Sequence, residues 1–166
     1  MTKRFSIIGS LLFIGTLLSS CERDDICAEA TPVTPLLVID FFDIENTTEP
    51  KIPTDLIVVE NGETVGLSFN TSTISIPLRT NVDQTDFLFV LNANNESEEN
   101  PENIDGLTIT YVRTEEYISK ACGFRVTYNA LDATPSSQND DFWIQEVLIT
   151  NTTVEDETSA HIQIFF

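Results

Sequence analysis

Leu107-Thr108-Ile109-Thr110-Tyr111 and Phe124-Arg125-Val126-Thr127-Tyr128 decide the fold of this chain. In both stretches large apolar side chains alternate strictly with polar ones. A period of two sends one set of side chains into a core and the other toward water, as in a half-buried β-strand. The same alternation recurs outward from these segments. Leu37, Ile39 and Phe41 alternate with Val38, Asp40 and Phe42; Val65, Leu67 and Phe69 with Gly66, Ser68 and Asn70; Ile74, Ile76 and Leu78 with Ser75 and Pro77. Leu56-Ile57-Val58-Val59 and Phe87-Leu88-Phe89-Val90-Leu91 are unbroken apolar runs, expected of strands that are central or covered on both faces. Trp143 to Ile149 and His161 to Phe166 complete the set.

Turn signals separate the runs: Asn61-Gly62, the polar stretch Asn92 to Asn103, Asp105-Gly106, Thr134 to Asp141 and Thr152 to Ser159. Pro77 cannot donate to a ladder, so it marks an edge or a strand end. No window of a dozen residues shows a 3.6-residue period. About eight to ten short strands at this spacing predict a single antiparallel two-layer β-sandwich, Ig-like or jelly-roll-like, over residues 35–166. A closed barrel is the main rival. The expected interior comprises Leu37, Ile39, Phe41, Leu67, Phe69, Phe89, Ile109, Phe124, Val126 and Tyr128. Thr108, Thr110, Arg125 and Glu146 should point outward, and loops 93–106 and 134–141 should be exposed.

The N-terminal residues carry an address. Lys3-Arg4 precede an apolar run from Phe5 to Leu18, and Leu18-Ser19-Ser20-Cys21 matches a bacterial lipobox. The run is too short to span a bilayer comfortably and charges follow it, so residues 1–20 read as a lipoprotein signal peptide. The thiol of Cys21 would then accept a diacylglyceryl group. Residues 21–34 read as a lipidated tether, opening on the charged stub Glu22-Arg23-Asp24-Asp25. The expected location is the cell envelope, lipid-anchored, at the outer membrane, with periplasmic and surface-exposed leaflets both open.

Removing residues 1–20 removes two basic residues and no acidic one, leaving 6 Lys+Arg against 27 Asp+Glu, a formal charge of 6 − 27 = −21. Such a balance argues against nucleic-acid or anionic-membrane binding, because both demand clustered Lys and Arg. A solvated acidic surface is its simplest meaning.

Cys27 and Cys122 remain once Cys21 is assigned to lipid. An even pair in an oxidising compartment favours a disulfide over two buried free thiols. Closing so long a loop contributes about 4 kcal/mol in the chain-entropy model, less any strain.

Enzyme signatures are missing. The single histidine, His161, reads as a packed strand residue, and there is no Cys-x-x-Cys, His-Glu-x-x-His, phosphate loop or nucleophile elbow. No metal and no cofactor is expected. The acidic stretch from Asn94-Asn95-Glu96 through Glu102 to Asp105-Gly106, with Asp140-Asp141 and Glu155-Asp156-Glu157, offers the hard oxygen atoms that suit calcium, yet without an EF-hand register. Trp143, Phe142 or Tyr117 could stack on sugar, although a lone tryptophan in a strand is more often core. With so many carboxylates, a glycosidase-like acid pair is the third possibility.

Cys21 to Cys27, then Thr31-Pro32, Leu37-Val38-Ile39-Asp40-Phe41-Phe42-Asp43 and Tyr117-Ile118-Ser119-Lys120-Ala121-Cys122-Gly123-Phe124 resemble an uncharacterised lipoprotein family of the Bacteroidota, a domain of unknown function. The resemblance spans most of the mature chain and implies localisation and single-domain character; it carries over no catalytic residues. Arg23-Asp24-Asp25 is similar to the surface-export signal of that bacterial group. The expected function is that of a non-catalytic envelope lipoprotein that binds an envelope protein in assembly or secretion. Alternatives are a surface glycan-binding module and a small envelope hydrolase.

Overall fold

The computed structural model describes residues 26–94, 100–137 and 142–166. The lipobox with Cys21, the stub Glu22 to Asp25, residues 95–99 and 138–141 lie outside the described residues.

Nine strands form, and there is no helix among the described residues: β1 (Leu37–Phe42), β2 (Leu56–Glu60), β3 (Leu67–Phe69), β4 (Thr73–Ile76), β5 (Gln84–Leu91), β6 (Asn103–Ser119), β7 (Gly123–Ser137), β8 (Glu146–Ile149) and β9 (Ile162–Phe165). They make two packed sheets, a β-sandwich, with strand orders β4-β1-β9-β8 and β3-β2-β5-β6-β7. Val, Ile, Phe and Thr dominate these segments because branched and aromatic side chains suit a pleated, half-buried surface.

Registers follow the alternation. In the first sheet Leu37 faces Ile76 and Ile39 faces Ile74 across antiparallel β1 and β4. In the second, Val58 faces Phe89 across β2 and β5, and Phe87 faces Leu107 across β5 and β6. A slip of one residue would turn each of these side chains to the opposite face, so burial fixes the register. One pairing departs from the expected all-antiparallel pattern: β1 and β9 run parallel, with Ile39 opposite Ile162 and Phe41 opposite Ile164.

The core lies between the sheets. Leu37, Ile39, Phe41, Leu56, Phe89, Leu107, Ile109, Tyr128, Ile162 and Ile164 are buried there. Each contributes about 1.5–3 kcal/mol relative to exposure. Tyr111 and Tyr128 meet edge to face, centroids 4.9 Å apart, and both hydroxyls find partners. Tyr128 donates to the Leu78 carbonyl at 3.2 Å. The Arg79 N–H donates to Thr85 Oγ1, Thr85 lies 2.6 Å from the Tyr111 hydroxyl, and that hydroxyl donates back to the Arg79 carbonyl. Burial raises the Tyr111 hydroxyl and pushes that of Tyr128 up to about 12, so both stay protonated donors at neutral pH.

Several expectations are corrected. Leu67 is 49% exposed and Phe124 is 65% exposed, while Phe69 is only partly buried against the core. β3 is a sheet edge with no layer over its outer part, and alternation cannot report whether a face is covered. Residues 103–106 and 134–137 belong to β6 and β7 rather than to loops, and Asp105 and Gly106 are buried. Arg125 is half-buried, its stem held by Glu116 at 2.6 Å; Glu146 is exposed as expected.

The described residues fall into two compact units. One comprises 33–116 and 125–166 and holds the sandwich core; the other comprises 26–32 and 117–124. The second unit is stitched by the Cys27–Cys122 disulfide, Cα atoms 5.0 Å apart, within bridging geometry. The segment read as tether is therefore bonded to the β6–β7 turn from its seventh residue.

Candidate binding surfaces

β3 is the terminal strand of the five-stranded sheet and, among the described residues, pairs only with β2. It can sit there because residue 66 is glycine: a Cβ at Gly66 would lie 2.4 Å from the Ile57 side chain and 2.8 Å from that of Val59. Leu67 shares the face of its partner Val58, yet at this edge it stays 49% exposed and Val65 83% exposed. Beside them lies a cleft of about 200 Å³ lined by Val58, Glu60, Val65, Leu67, Pro77 and Phe87. Its walls are mainly apolar, with Glu63 and Glu60 also among the lining residues, the latter ion-paired with Arg79. Pro77, just past β4, cannot extend that ladder.

The other end of this sheet is not open in the same way. β7 is capped at Tyr128, which exchanges backbone hydrogen bonds with Val154 at 3.1 and 2.7 Å, and at Leu131, which donates to Thr152 at 3.0 Å. The β3 edge thus combines free backbone groups with exposed apolar side chains, the combination natural proteins usually blunt.

A second surface belongs to the unit built on the disulfide. Tyr117, 59% exposed, and Phe124 meet edge to face at 5.2 Å and 63°. Ile26 is 83% exposed in the same unit. A shallow hollow is lined by Ile26, Ala28, Thr31, Ile118, Lys120 and Cys122.

The remaining sequence candidates are structural. His161, just before β9, is buried; its Nδ1 accepts the Val38 N–H at 3.1 Å, while its own N–H donates to the Val38 carbonyl at 2.9 Å. A ring nitrogen that accepts is unprotonated, and burial holds the imidazole below its usual range. His161 therefore extends the β1–β9 pairing instead of serving as a base. Asp105, read from sequence as the end of an acidic calcium loop, is buried in β6. Its Oδ2 accepts the N–H groups of Trp143 and Ile144, each at 2.8 Å. Trp143 is core as well, its Nε1 donating to the Phe89 carbonyl at 3.2 Å. Among the described residues no three His, Cys, Asp or Glu side chains converge to hold a metal. No helix among them is long and apolar enough to cross a membrane.

A family profile described as "Family of unknown function (DUF6452)" matches residues 46–166. The chain belongs to that family. The match covers the sandwich from the segment before β2 through β9, including the β3 edge and the Tyr117–Phe124 pair. No curated protein and no solved structure matches the chain.

The β3 edge was not legible as a site. Val65, Leu67 and Phe69 carry the alternation of a buried strand, and only the position of β3 at the end of the sheet exposes two of them. Gly66 amid that alternation is the one signal that could have pointed to it, since an isolated glycine within a strand marks close backbone approach.

Proposed function

We propose that this chain is a lipid-anchored, non-catalytic protein of the bacterial cell envelope, of the Bacteroidota lipoprotein type, and that it acts by binding a protein partner along the β3 edge. The observation that carries this reading is the open edge with Val65 and Leu67 exposed beside an apolar cleft. An incoming extended segment would add a strand through backbone hydrogen bonds, and alternate side chains would select it by filling the cleft. The Cys27–Cys122 disulfide supports an oxidising compartment outside the cytoplasm. The lipobox supports attachment through Cys21.

A glycan-binding reading finds some support in Tyr117 and Phe124. Their rings are inclined at 63°, however, and do not form the coplanar platform on which a pyranose stacks.

Two measurements test the proposal. Cys21→Ala should abolish fatty-acid labelling; unchanged labelling refutes the anchor. A photoreactive residue at position 65 of the lipidated protein should give a discrete protein adduct in intact cells, absent when the probe sits at 148 on β8. Equal adducts from both positions, or none from 65, refute the edge as the docking site.

A further inference from the structure

We infer that the surface formed by Tyr117 and Phe124 is a membrane contact: it rests in the headgroup region of the same bilayer that holds the Cys21 lipid. The inference depends on the reading of Cys21 as acylated, and three observations point to the bilayer as occupant.

The first is reach. Six residues separate Cys21 from Cys27, and a chain spans at most about 3.3–3.6 Å per residue, so Cys27 stands within roughly 20–22 Å of the acylated residue. The disulfide passes this restraint on, because the Cα of Cys122 is 5.0 Å from that of Cys27. Tyr117 and Phe124 flank Cys122 in sequence and share its compact unit. Without the bridge, residues 117–124 would be connected to the anchor only through more than ninety residues of chain; with it, they are held near the lipid surface.

Side-chain chemistry is the second. Tyr117, Phe124 and Ile26 are the large apolar residues that this unit leaves exposed. Aromatic rings with one wet end favour the membrane–water interface, where Tyr117 can bury its ring and keep its hydroxyl hydrated.

The third is charge. The chain carries 27 acidic and 8 basic residues, so most of its surface is repelled by lipid phosphates. Residues 26–32 and 117–124 carry one acid, Glu29, and one base, Lys120. Of the basic side chains among the described residues, Lys51, Arg79, Arg113 and Arg125 are engaged in ion pairs with carboxylates. Lys120 has no ion pair among the described residues and lies between Tyr117 and Phe124 in sequence, where its ammonium can reach a headgroup phosphate while its stem follows the apolar surface. Residues 26–32 and 117–124 are thus net neutral, in contrast with the acidic sandwich.

The test uses the full lipidated protein reconstituted in phosphatidylcholine vesicles. Phe124→Trp and Tyr117→Trp each place a reporter on the surface without removing its aromatic character, and Leu148→Trp places one on exposed β8 beside Glu146. Trp143 is buried and common to all three, so it cancels. Interfacial side chains sit about 5–10 Å into the headgroup and acyl boundary. Lipid brominated near the headgroup should therefore cut the emission of the reporters at 124 and 117 at least about two-fold, leaving that at 148 unchanged. An acylated protein whose reporters at 124 and 117 are unquenched overturns the contact while leaving the anchor intact. A blue shift of those reporters that depends on protein concentration and not on bromine assigns the surface to a second copy and likewise overturns it. A mature chain whose mass shows no acyl group overturns the anchor and the contact together.

Discussion

Replacing Asp105 with alanine removes the acceptor for two buried N–H groups. Trp143 and Ile144 both donate to its Oδ2 at 2.8 Å, and this carboxylate ties β6 of one sheet to the segment that leads into β8 of the other. Leaving a buried donor unsatisfied costs about 1–3 kcal/mol, so two orphaned donors cost about 2–6 kcal/mol. That is a large fraction of the roughly 5–15 kcal/mol that holds a typical domain together. Asp105→Asn should cost less, about 1–3 kcal/mol, because an amide oxygen can still accept both bonds. It is not silent: Oδ1 is buried with no hydrogen-bond partner among the described residues, and an amide nitrogen in its place would be a new buried donor in need of an acceptor. The assay is urea unfolding followed by Trp143 fluorescence, with stability taken from the midpoint at unchanged slope. The expected order is wild type, then asparagine, then alanine. An alanine variant within about 0.5 kcal/mol of wild type refutes the reasoning, since that is the scatter of an ordinary surface substitution. Millimolar calcium should leave the wild-type midpoint in place. A rise with calcium that Asp105→Asn abolishes would restore the acidic-loop reading instead.

Two further expectations concern the same fold. Replacing Cys27 and Cys122 together with serine should cost up to about 4 kcal/mol in the chain-entropy account and lower the melting temperature by roughly 10 °C; a shift of under a degree would show that the bridge constrains little. Burial holds the His161 imidazole below its ordinary value of 6.5, so between the folded and unfolded values the unfolded chain binds more protons. His161 therefore contributes stability that is full above pH 6.5 and is lost as the pH falls toward its lowered folded value. The nearby Asp156 carboxylate opposes this shift but is outweighed by burial. Stability measured by urea between pH 7.5 and 5 should decline, and His161→Asn should flatten that decline; an unchanged slope in the variant would assign it to other groups.

Alternation located the strands well. Leu37 to Phe42 and Thr73 to Ile76 fall where the period of two predicts them, because burial of one face enforces that period, and the apolar run Phe87 to Leu91 forms most of β5. It failed at Leu67 and Phe124 for a physical reason. The pattern tells which side chains share a face of a strand, whereas covering that face is the work of residues far away in sequence. Asp105-Gly106 misled in a different way. The pair has the composition of a turn, yet Gly106 is needed inside β6 because a Cβ there would lie 2.5 Å from Ser136 Oγ. Asn61-Gly62 kept its ordinary meaning, with Gly62 at φ +97° between β2 and β3. The disulfide was legible from the even cysteine pair and the compartment expected for it, and the β3 edge was not, since strand order is a long-range property.

The parallel pairing of β1 with β9 bears on the order in which the two sheets can close. Ile39 pairs with Ile162 and Phe41 with Ile164, and β9 stands between β1 and β8 in the four-stranded sheet. Until β9 arrives, that sheet is only the antiparallel β4–β1 pair, with β8 unattached, and two-stranded ribbons are marginal in water. The five-stranded sheet draws its strands from β2 to β7 and does not wait for β9. Closure of the sandwich does wait for β9, whose partners on β1 lie 123 residues away in sequence, a pairing that loop entropy makes slow.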